Sequence, residues 1–381
     1  MIPYSKQHIC DDDIAAVVDV LRSTHLTQGE KVTEFEQAIA NRVGAEHAIA
    51  TNSGTSALHI ACLALGVSQG DYVWTSPISF VASSNSALYC GAQVDFVDVE
   101  PHSGNMDMEE LACKLAQAKL DNCLPKAIIV VHLCGAPCDL AKLAKLAKQY
   151  HFKIIEDACH ALGASYENTP IGKSEYSDIT VFSFHAVKNL TTAEGGMALT
   201  QSNELANAMR LLASHGITKD PQQFVEQSVG DWYHEQQLLG FNYRMSDIHA
   251  ALGLSQLNKF DEMQRQRASA VEYYQTSLQG ICTWLGANDN SKSANHLFVI
   301  QVPKAKRKTL FDKLRESNIW VQVHYMNIAS QPYYRDLGFN SDEYPVANQV
   351  SDCSISLPVF AGIKQTEQHK VINIIKENLC S

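Results

Sequence analysis

Over residues 30–215, short apolar and β-branched runs alternate with longer amphipathic stretches, a rhythm that restricts the chain to a mainly parallel sheet covered by helices. Strands are expected at 48–50, 72–74, 94–97, 127–131, 153–155, 179–182 and 197–199. A helix is expected over Glu30–Arg42, where Val32, Phe35 and Ile39 share one face. A longer helix is expected from about Ser246 into the Met263–Tyr274 region, because AALGLSQLNKFDEM keeps helical spacing without a breaker. Past residue 285 the pattern resets. HLFVIQV and IWVQVHY read as strands, and 305–317 and 365–378 as helices. The expected class is α/β, with a large domain and N-terminal arm over 1–250 and a smaller α+β domain over 251–381. The polar stretch Thr218–Gln237 reads as a long loop, a type that is commonly functional.

Composition narrows the function classes. A chain of 381 residues exceeds what one core usually supports, in keeping with a second domain. The net charge of -11 argues against nucleic-acid binding, so an anionic ligand has to be held by local donors. No apolar run approaches the roughly 18 residues of a spanning helix, and no signal segment opens the chain. The eleven cysteines lack paired CxxC units, and Cys134 and Cys138 in CGAPC read as small buried residues rather than metal ligands. A cytoplasmic protein with free thiols and no metal is the expectation.

Three segments carry chemistry. In VFSFHAVKNLTTAEGG (181–196) an apolar strand delivers Ser183, His185 and Lys188 to a small-residue turn ending in glycine. A lysine so placed suits imine formation with the aldehyde of pyridoxal 5'-phosphate (PLP), followed by proton shuttling. In IIEDACHALGA (154–164) Asp157 falls just past a strand, where open α/β sheets bind ligands. A carboxylate there pairs with a protonated pyridine nitrogen, whereas Glu156 should face the opposite side. An isolated Asp at such a position is more often a helix cap. In ATNSGTSALHIA (50–61), Gly54, Thr55 and Ser56 open a helix and suit a phosphate. Phe80 in TSPISFVASSNSALYC suits stacking on a flat ring or a place in the core. Arg244, beside Asn242 in GFNYRMSDIHAALG, suits a phosphate or a structural ion pair. His324 and Tyr325 end the run IWVQVHY, at a position open to a sugar or nucleotide ligand.

Taken in order, LTQG, NSGTSAL, EDACHALGA, SFHAVKNLTTAEGG, WYHE, GFNYRMSDIHAALG, VHY with QPYY, and SLP resemble the DegT-like, fold-type-I, PLP-dependent nucleotide-sugar aminotransferases nearly end to end. That resemblance implies the aspartate-aminotransferase-like fold, with Lys188 carrying the cofactor, Asp157 at its ring nitrogen and Phe80 on its face. It also implies Thr55, Ser56 and Ser183 at the phosphate and His160 near the phenolic oxygen, where many relatives have glutamine. Asn242 would reach the phosphate from a neighbouring subunit, implying a homodimer with shared sites. His185, Arg244, His324 and Tyr325 are the implied substrate contacts. Within the group, TSPISFVAS, DACHALGA and SFHAVKNLTTAEGG look most like the UDP-4-amino-sugar aminotransferases of pseudaminic acid biosynthesis, which take a UDP-4-keto-6-deoxy-N-acetylhexosamine and L-glutamate. Aminotransferases for other NDP-3- or 4-keto sugars share these residues, and a non-catalytic PLP-binding regulator keeps the fold alone. Sugar dehydratases of this fold carry histidine at the lysine position, so Lys188 disfavours them. The lack of GxGxxG in a βαβ unit disfavours a nicotinamide oxidoreductase.

Overall fold

The computed structural model describes residues 1–380. Helices α1 (Asp11–Arg22) and α2 (Glu30–Val43) lead into β1 (His47–Thr51) and α3 (Gly54–Ala64). Strands and helices then alternate: β2 (Tyr72–Thr75), α4 (Ala82–Tyr89), β3 (Gln93–Phe96), α5 (Met108–Leu120), β4 (Ala127–Val131), α6 (Leu140–Tyr150) and β5 (Lys153–Asp157). A small hairpin, β6 (Ser165–Tyr166) and β7 (Thr169–Pro170), precedes β8 (Ile179–Ser183), β9 (Gly196–Thr200) and α7 (Asn203–Ala213).

One sheet collects the longer strands in the order β1-β9-β8-β5-β4-β2-β3. Strands β8, β5, β4, β2 and β3 are parallel, and β9 alone runs against both of its neighbours. Alternation of side chains divides each strand between two cores. Ile128 and Val130 of β4 pack with Phe35, Ile39, Leu111 and Leu143 on one face. Ala127 and Ile129 pack with Leu58, Ile60 and Met209 on the other. Both faces are therefore dry, which is why β4 reads as the unbroken apolar run AIIVV. Each large aliphatic side chain buried this way contributes about 1.5–3 kcal/mol. Side-chain oxygens of Asp107, Asp139, Ser202 and Ser246 cap the helices that follow them.

The polar stretch after α7 is pinched at its base by the pair β10 (Ile217–Thr218) and β11 (Glu235–Gln236), and exposes Val225, Val229 and Trp232 between them. The expected single helix beyond Ser246 is two, α8 (Asp247–Asn258) and α9 (Phe260–Leu278), broken at Lys259. Neither proline nor glycine causes the break. Buried Asp13 of α1 accepts hydrogen bonds from Ser255 at 2.7 Å and Gln256 at 2.8 Å and pairs with the Lys259 ammonium. Contacts to α1 and α2 thus hold α8, while α9 turns away towards a third core.

That core is built on an antiparallel sheet of β12 (Thr283–Trp284), β14 (Phe298–Gln301) and β15 (Ser354–Leu357). Helices α9, α10 (Lys304–Glu316) and α13 (Gln365–Leu379) cover it, burying Tyr274, Leu310, Leu314, Val371 and Ile375. β13 (Ser291–Lys292) joins the β6–β7 hairpin. The short α11 (Pro332–Asp336) and α12 (Pro345–Cys353) complete the region. The expected strand IWVQVHY is corrected: it pairs only through isolated bridges, Ile319 with Ile2 and Gln322 with Ser356. Its alternation is genuine, with Ile319 and Val321 buried, but it is extended chain crossing the sheet margin rather than a strand.

Candidate active site

The parallel strands deliver their following loops to one edge of the sheet, and there a cavity of about 400 Å³ opens. Strand β5 ends on Asp157, which is only 6% exposed. Its Oδ2 accepts a 2.6 Å hydrogen bond from Ser83 and its Oδ1 one of 3.2 Å from the Cys159 backbone N–H. Glu156 faces away, bound to buried His132 at 2.8 Å and to Ser177 and Thr180, as strand alternation requires. Next in the sheet, β8 ends on Ser183, and the turn after it presents Lys188.

Lys188 has no ion-pair partner among the described residues. Burial pulls its amine below the ordinary lysine value, against the opposing charges of Cys159 and Asp157. The amine therefore gives up its proton more readily than an exposed lysine would, beside a carboxylate that is already solvated by hydrogen bonds.

At the start of α3, Ser53 caps the helix by accepting from the Ser56 N–H at 3.1 Å. Gly54 is tightly enclosed: a methyl group there would stand 2.9 Å from Ser183 Cβ and 3.3 Å from Cys159 Sγ. Opposite, a methyl on Gly196 would stand 2.3 Å from the Ser53 carbonyl oxygen and 2.6 Å from Gly54 N. Two glycines thus let β9 and β8 press against the helix N-terminus and form a shallow cup lined by Ser53, Gly54, Thr55 and Ser183. Ser56 is not on the lining. Its hydroxyl donates to Asn52 Oδ1 at 2.6 Å, so it holds the cup from behind.

Phe80 lies over the cavity with 60% of its surface exposed, an aromatic face without a partner in its own core. Across from it stand Tyr325, ring centroids 6.4 Å apart, and His160, which stacks on Tyr325 at 6.0 Å. The Tyr325 hydroxyl and His160 Nε2 are 3.1 Å apart, and His160 Nδ1 is buried without a hydrogen-bond partner. Burial, with Lys188 and His324 adding to it, keeps His160 well below the usual histidine range. Burial brings His324 down to about 4, and its Nδ1 meets Ser356 Oγ at 2.8 Å. His185 lines the mouth, its Nε2 3.9 Å from Glu194.

Asn242 and Arg244 are not brought to this cavity. Asn242 is exposed on the strap leading to α8 and bridges Ser214, and Arg244 donates to Ser214 Oγ at 3.3 Å. Conversely, the lining includes residues that the sequence reading did not single out: Ser79, Cys159 and Glu194 within the quoted motifs, and Tyr4 and His296 outside them. Tyr4 arrives on the N-terminal arm, which is tied down where Ser5 Oγ donates to the Val187 carbonyl at 3.2 Å and the Val359 N–H donates to the Tyr4 carbonyl. His296 Nδ1 donates to Asn189 Oδ1 at 3.0 Å, since the Asn189 amide already donates to the Ala294 carbonyl.

A phosphorylated, flat heteroaromatic aldehyde fits this donor set. The glycine-walled cup accepts a tetrahedral anion, the uncovered Phe80 face accepts a ring, and the unpartnered His160 nitrogen leaves one polar valence open beside it.

The DegT/DnrJ/EryC1/StrS aminotransferase family matches residues 7–376. The chain belongs to that family. It is 36% identical over 342 residues to the UDP-4-amino-4,6-dideoxy-N-acetyl-beta-L-altrosamine transaminase of Campylobacter jejuni subsp. jejuni serotype O:23/36, covering 88% of this chain and 87% of the relative. Among solved structures it resembles Helicobacter pylori PseC, an aminotransferase involved in the biosynthesis of pseudoaminic acid, with a TM-score of 0.90, 32% identity and 99% of both chains covered. Spr1654 of Streptococcus pneumoniae in its PMP form also has a TM-score of 0.90, at 29% identity over 99% of this chain and 98% of that one. The chain is accordingly a DegT-family sugar aminotransferase, PLP-dependent and of fold type I. No helix among the described residues is long and apolar enough to cross a membrane, and no cluster of metal-ligating side chains forms among them.

Proposed function

We propose that this aminotransferase moves the amino group of L-glutamate to C4 of a UDP-4-keto-6-deoxy-N-acetylhexosamine, giving the 4-amino sugar of the altrosamine series used for pseudaminic acid. The observation that carries the chemistry is the desolvated, unpaired Lys188 amine sharing one cavity with Asp157 and the glycine-walled cup. Similarity to the Campylobacter transaminase and to PseC supports the choice of sugar.

When bound, PLP supplies the electron sink for the negative charge left on carbon as the donor's Cα proton departs. The chain's residues do the rest. Lys188 would hold the cofactor, give way to the incoming amine, and then carry a proton from the donor's Cα; in the second half-reaction it would return one to the carbon that receives nitrogen. Asp157 keeps its negative charge at the ring nitrogen. Ser183, Thr55 and the α3 backbone hold the phosphate, with Ser56 bracing them, and Phe80 covers one ring face. His160 and Tyr325, which meet at one side of the cavity, would hold the phenolic oxygen. His185, His324 and Tyr4 border the side open to the sugar, where the His324 imidazole, brought down to about 4 by burial, offers a hydrogen bond to a hydroxyl or carbonyl group.

Asn242, and Arg244 beside it, serve the site of a neighbouring subunit in a homodimer. The exposure of Asn242 on the strap, and the apolar Val225, Val229 and Trp232 exposed nearby, support this assembly. A cytoplasmic setting agrees with eleven cysteines that form no disulfide.

The test is a panel of UDP- and dTDP-linked 3- and 4-keto sugars offered with glutamate, the product configuration being read by NMR. The expected result is fastest turnover of the UDP-4-keto N-acetylhexosamine with amination at C4. Preferred turnover of a dTDP or 3-keto substrate overturns the sugar assignment, and turnover by Lys188→Ala overturns the catalytic one.

A further inference from the structure

Ser83 closes the TSPISFVAS segment, in which only Phe80 was singled out, yet it is completely buried and occupies a singular position. It lies in the first turn of α4, three residues after Phe80. Its hydroxyl is 2.6 Å from Asp157 Oδ2, 2.7 Å from Ser79 Oγ and 3.3 Å from the Phe80 carbonyl. A serine has one proton to give. The carboxylate is the closest and the only charged acceptor of the three, so the proton goes to Asp157. The Ser79 hydroxyl must then donate to Ser83 Oγ, giving a directed chain Ser79 to Ser83 to Asp157. At its other oxygen Asp157 receives the Cys159 N–H. Each carboxylate oxygen therefore has one fixed donor within the protein and keeps lone pairs for the cavity.

We infer that Ser83 is a positioning residue that sets how strongly Asp157 holds a proton on the cofactor's ring nitrogen. The inference rests on the reading of Asp157 given above. Two physical consequences follow from the geometry. The hydrogen bond fixes the carboxylate plane, because with the Cys159 N–H it restrains both oxygens. It also stabilises the anionic form, so that the pair remains carboxylate and pyridinium rather than neutral acid and neutral pyridine. Since the Ser83 N–H donates to the Phe80 carbonyl at 3.2 Å, the same residue ties the ring-covering loop to the ring-edge carboxylate. Face and edge of the ligand are then held in one register by a single side chain and its backbone.

Ser83→Ala, Ser83→Thr and Asp157→Asn are compared with the parent protein, each loaded with PLP labelled with ¹⁵N in the ring. Two readouts are taken: the ring ¹⁵N resonance, and the rate of the glutamate half-reaction, which needs no sugar. In the parent the nitrogen is expected to resonate as pyridinium. In Ser83→Ala it is expected to move towards neutral pyridine, with the half-reaction slowed about 10–100-fold, the usual worth of a hydrogen bond to a charged group. Ser83→Thr, which restores the hydroxyl, is expected to restore both. An unmoved ¹⁵N resonance in Ser83→Ala overturns the inference, even if the rate falls, since loss of packing alone slows turnover without deprotonating the ring. Equal damage in Ser83→Thr and Ser83→Ala overturns it as well. An unmoved resonance in Asp157→Asn instead overturns the assignment of Asp157 itself, so the two failures are told apart.

Discussion

His160, His296 and His324 converge around Lys188, and burial holds all three below the usual histidine range, His324 at about 4. In the unfolded chain each would take up a proton near pH 6.5. Between that pH and the lowered folded values, the unfolded state binds more protons, so stability is complete above 6.5 and falls as the solution is acidified. Each histidine contributes a slope of about 1.4 kcal/mol per pH unit in this window. The melting temperature is therefore expected to drop between pH 6.5 and 5, before most carboxylates titrate. His324→Gln, which keeps a partner for Ser356, is expected to flatten that drop by one histidine's share; an unchanged acid profile would show that the imidazole takes up its proton without cost. At this scale the sequence is legible where residues lie close together, as in the turn that carries Ser183 and Lys188. It is silent on His296 and Tyr4, which join the cavity from separate elements and sit in no motif, and on Ser83, whose motif gives no sign that its hydroxyl meets Asp157.

The approach of β9 to the start of α3 is the tightest element-level constraint on the site. A methyl at Gly196 would overlap the Ser53 carbonyl and the Gly54 nitrogen, both backbone atoms that cannot swing aside. Gly196→Ala is thus expected to push the helix N-terminus off the sheet, costing about 1–3 kcal/mol of stability and weakening PLP binding about tenfold or more. Fluorescence titration of the apo protein with PLP checks this. Gly286→Ala is the control, because nothing lies within 4 Å of its added carbon, and it should bind as the parent does. Elements were readable wherever periodicity reflected burial, as in the apolar run of β4. Periodicity failed at Lys259, where a buried aspartate on another helix breaks a pattern that is locally sound. It failed again at residues 319–325, where alternate burial occurs without a ladder of hydrogen bonds.

In the proposed homodimer a neighbouring chain completes the cavity, since Asn242 lies away from the Lys188 of its own chain. If each site borrows Asn242 from a neighbour, Lys188→Ala and Asn242→Ala proteins, each inactive alone, should regain activity when unfolded together and reassembled. A mixed pair contains one site with both native residues, so random pairing restores about a quarter of the parental rate. No recovery would mean that each chain acts alone. Within one chain, the cavity-lining residues past the arm fall into two groups by position: those from Ser53 to Glu194 come early, while His296, His324 and Tyr325 come about a hundred residues later. The arm bearing Tyr4 is fastened to both groups, at Val187 and at Val359. During synthesis, then, the lysine leaves the ribosome long before its enclosure does, and the arm must wait for segments made last. A nascent chain stalled near residue 250 would carry the reactive amine on an open ledge, so cofactor capture belongs to the end of translation rather than its middle.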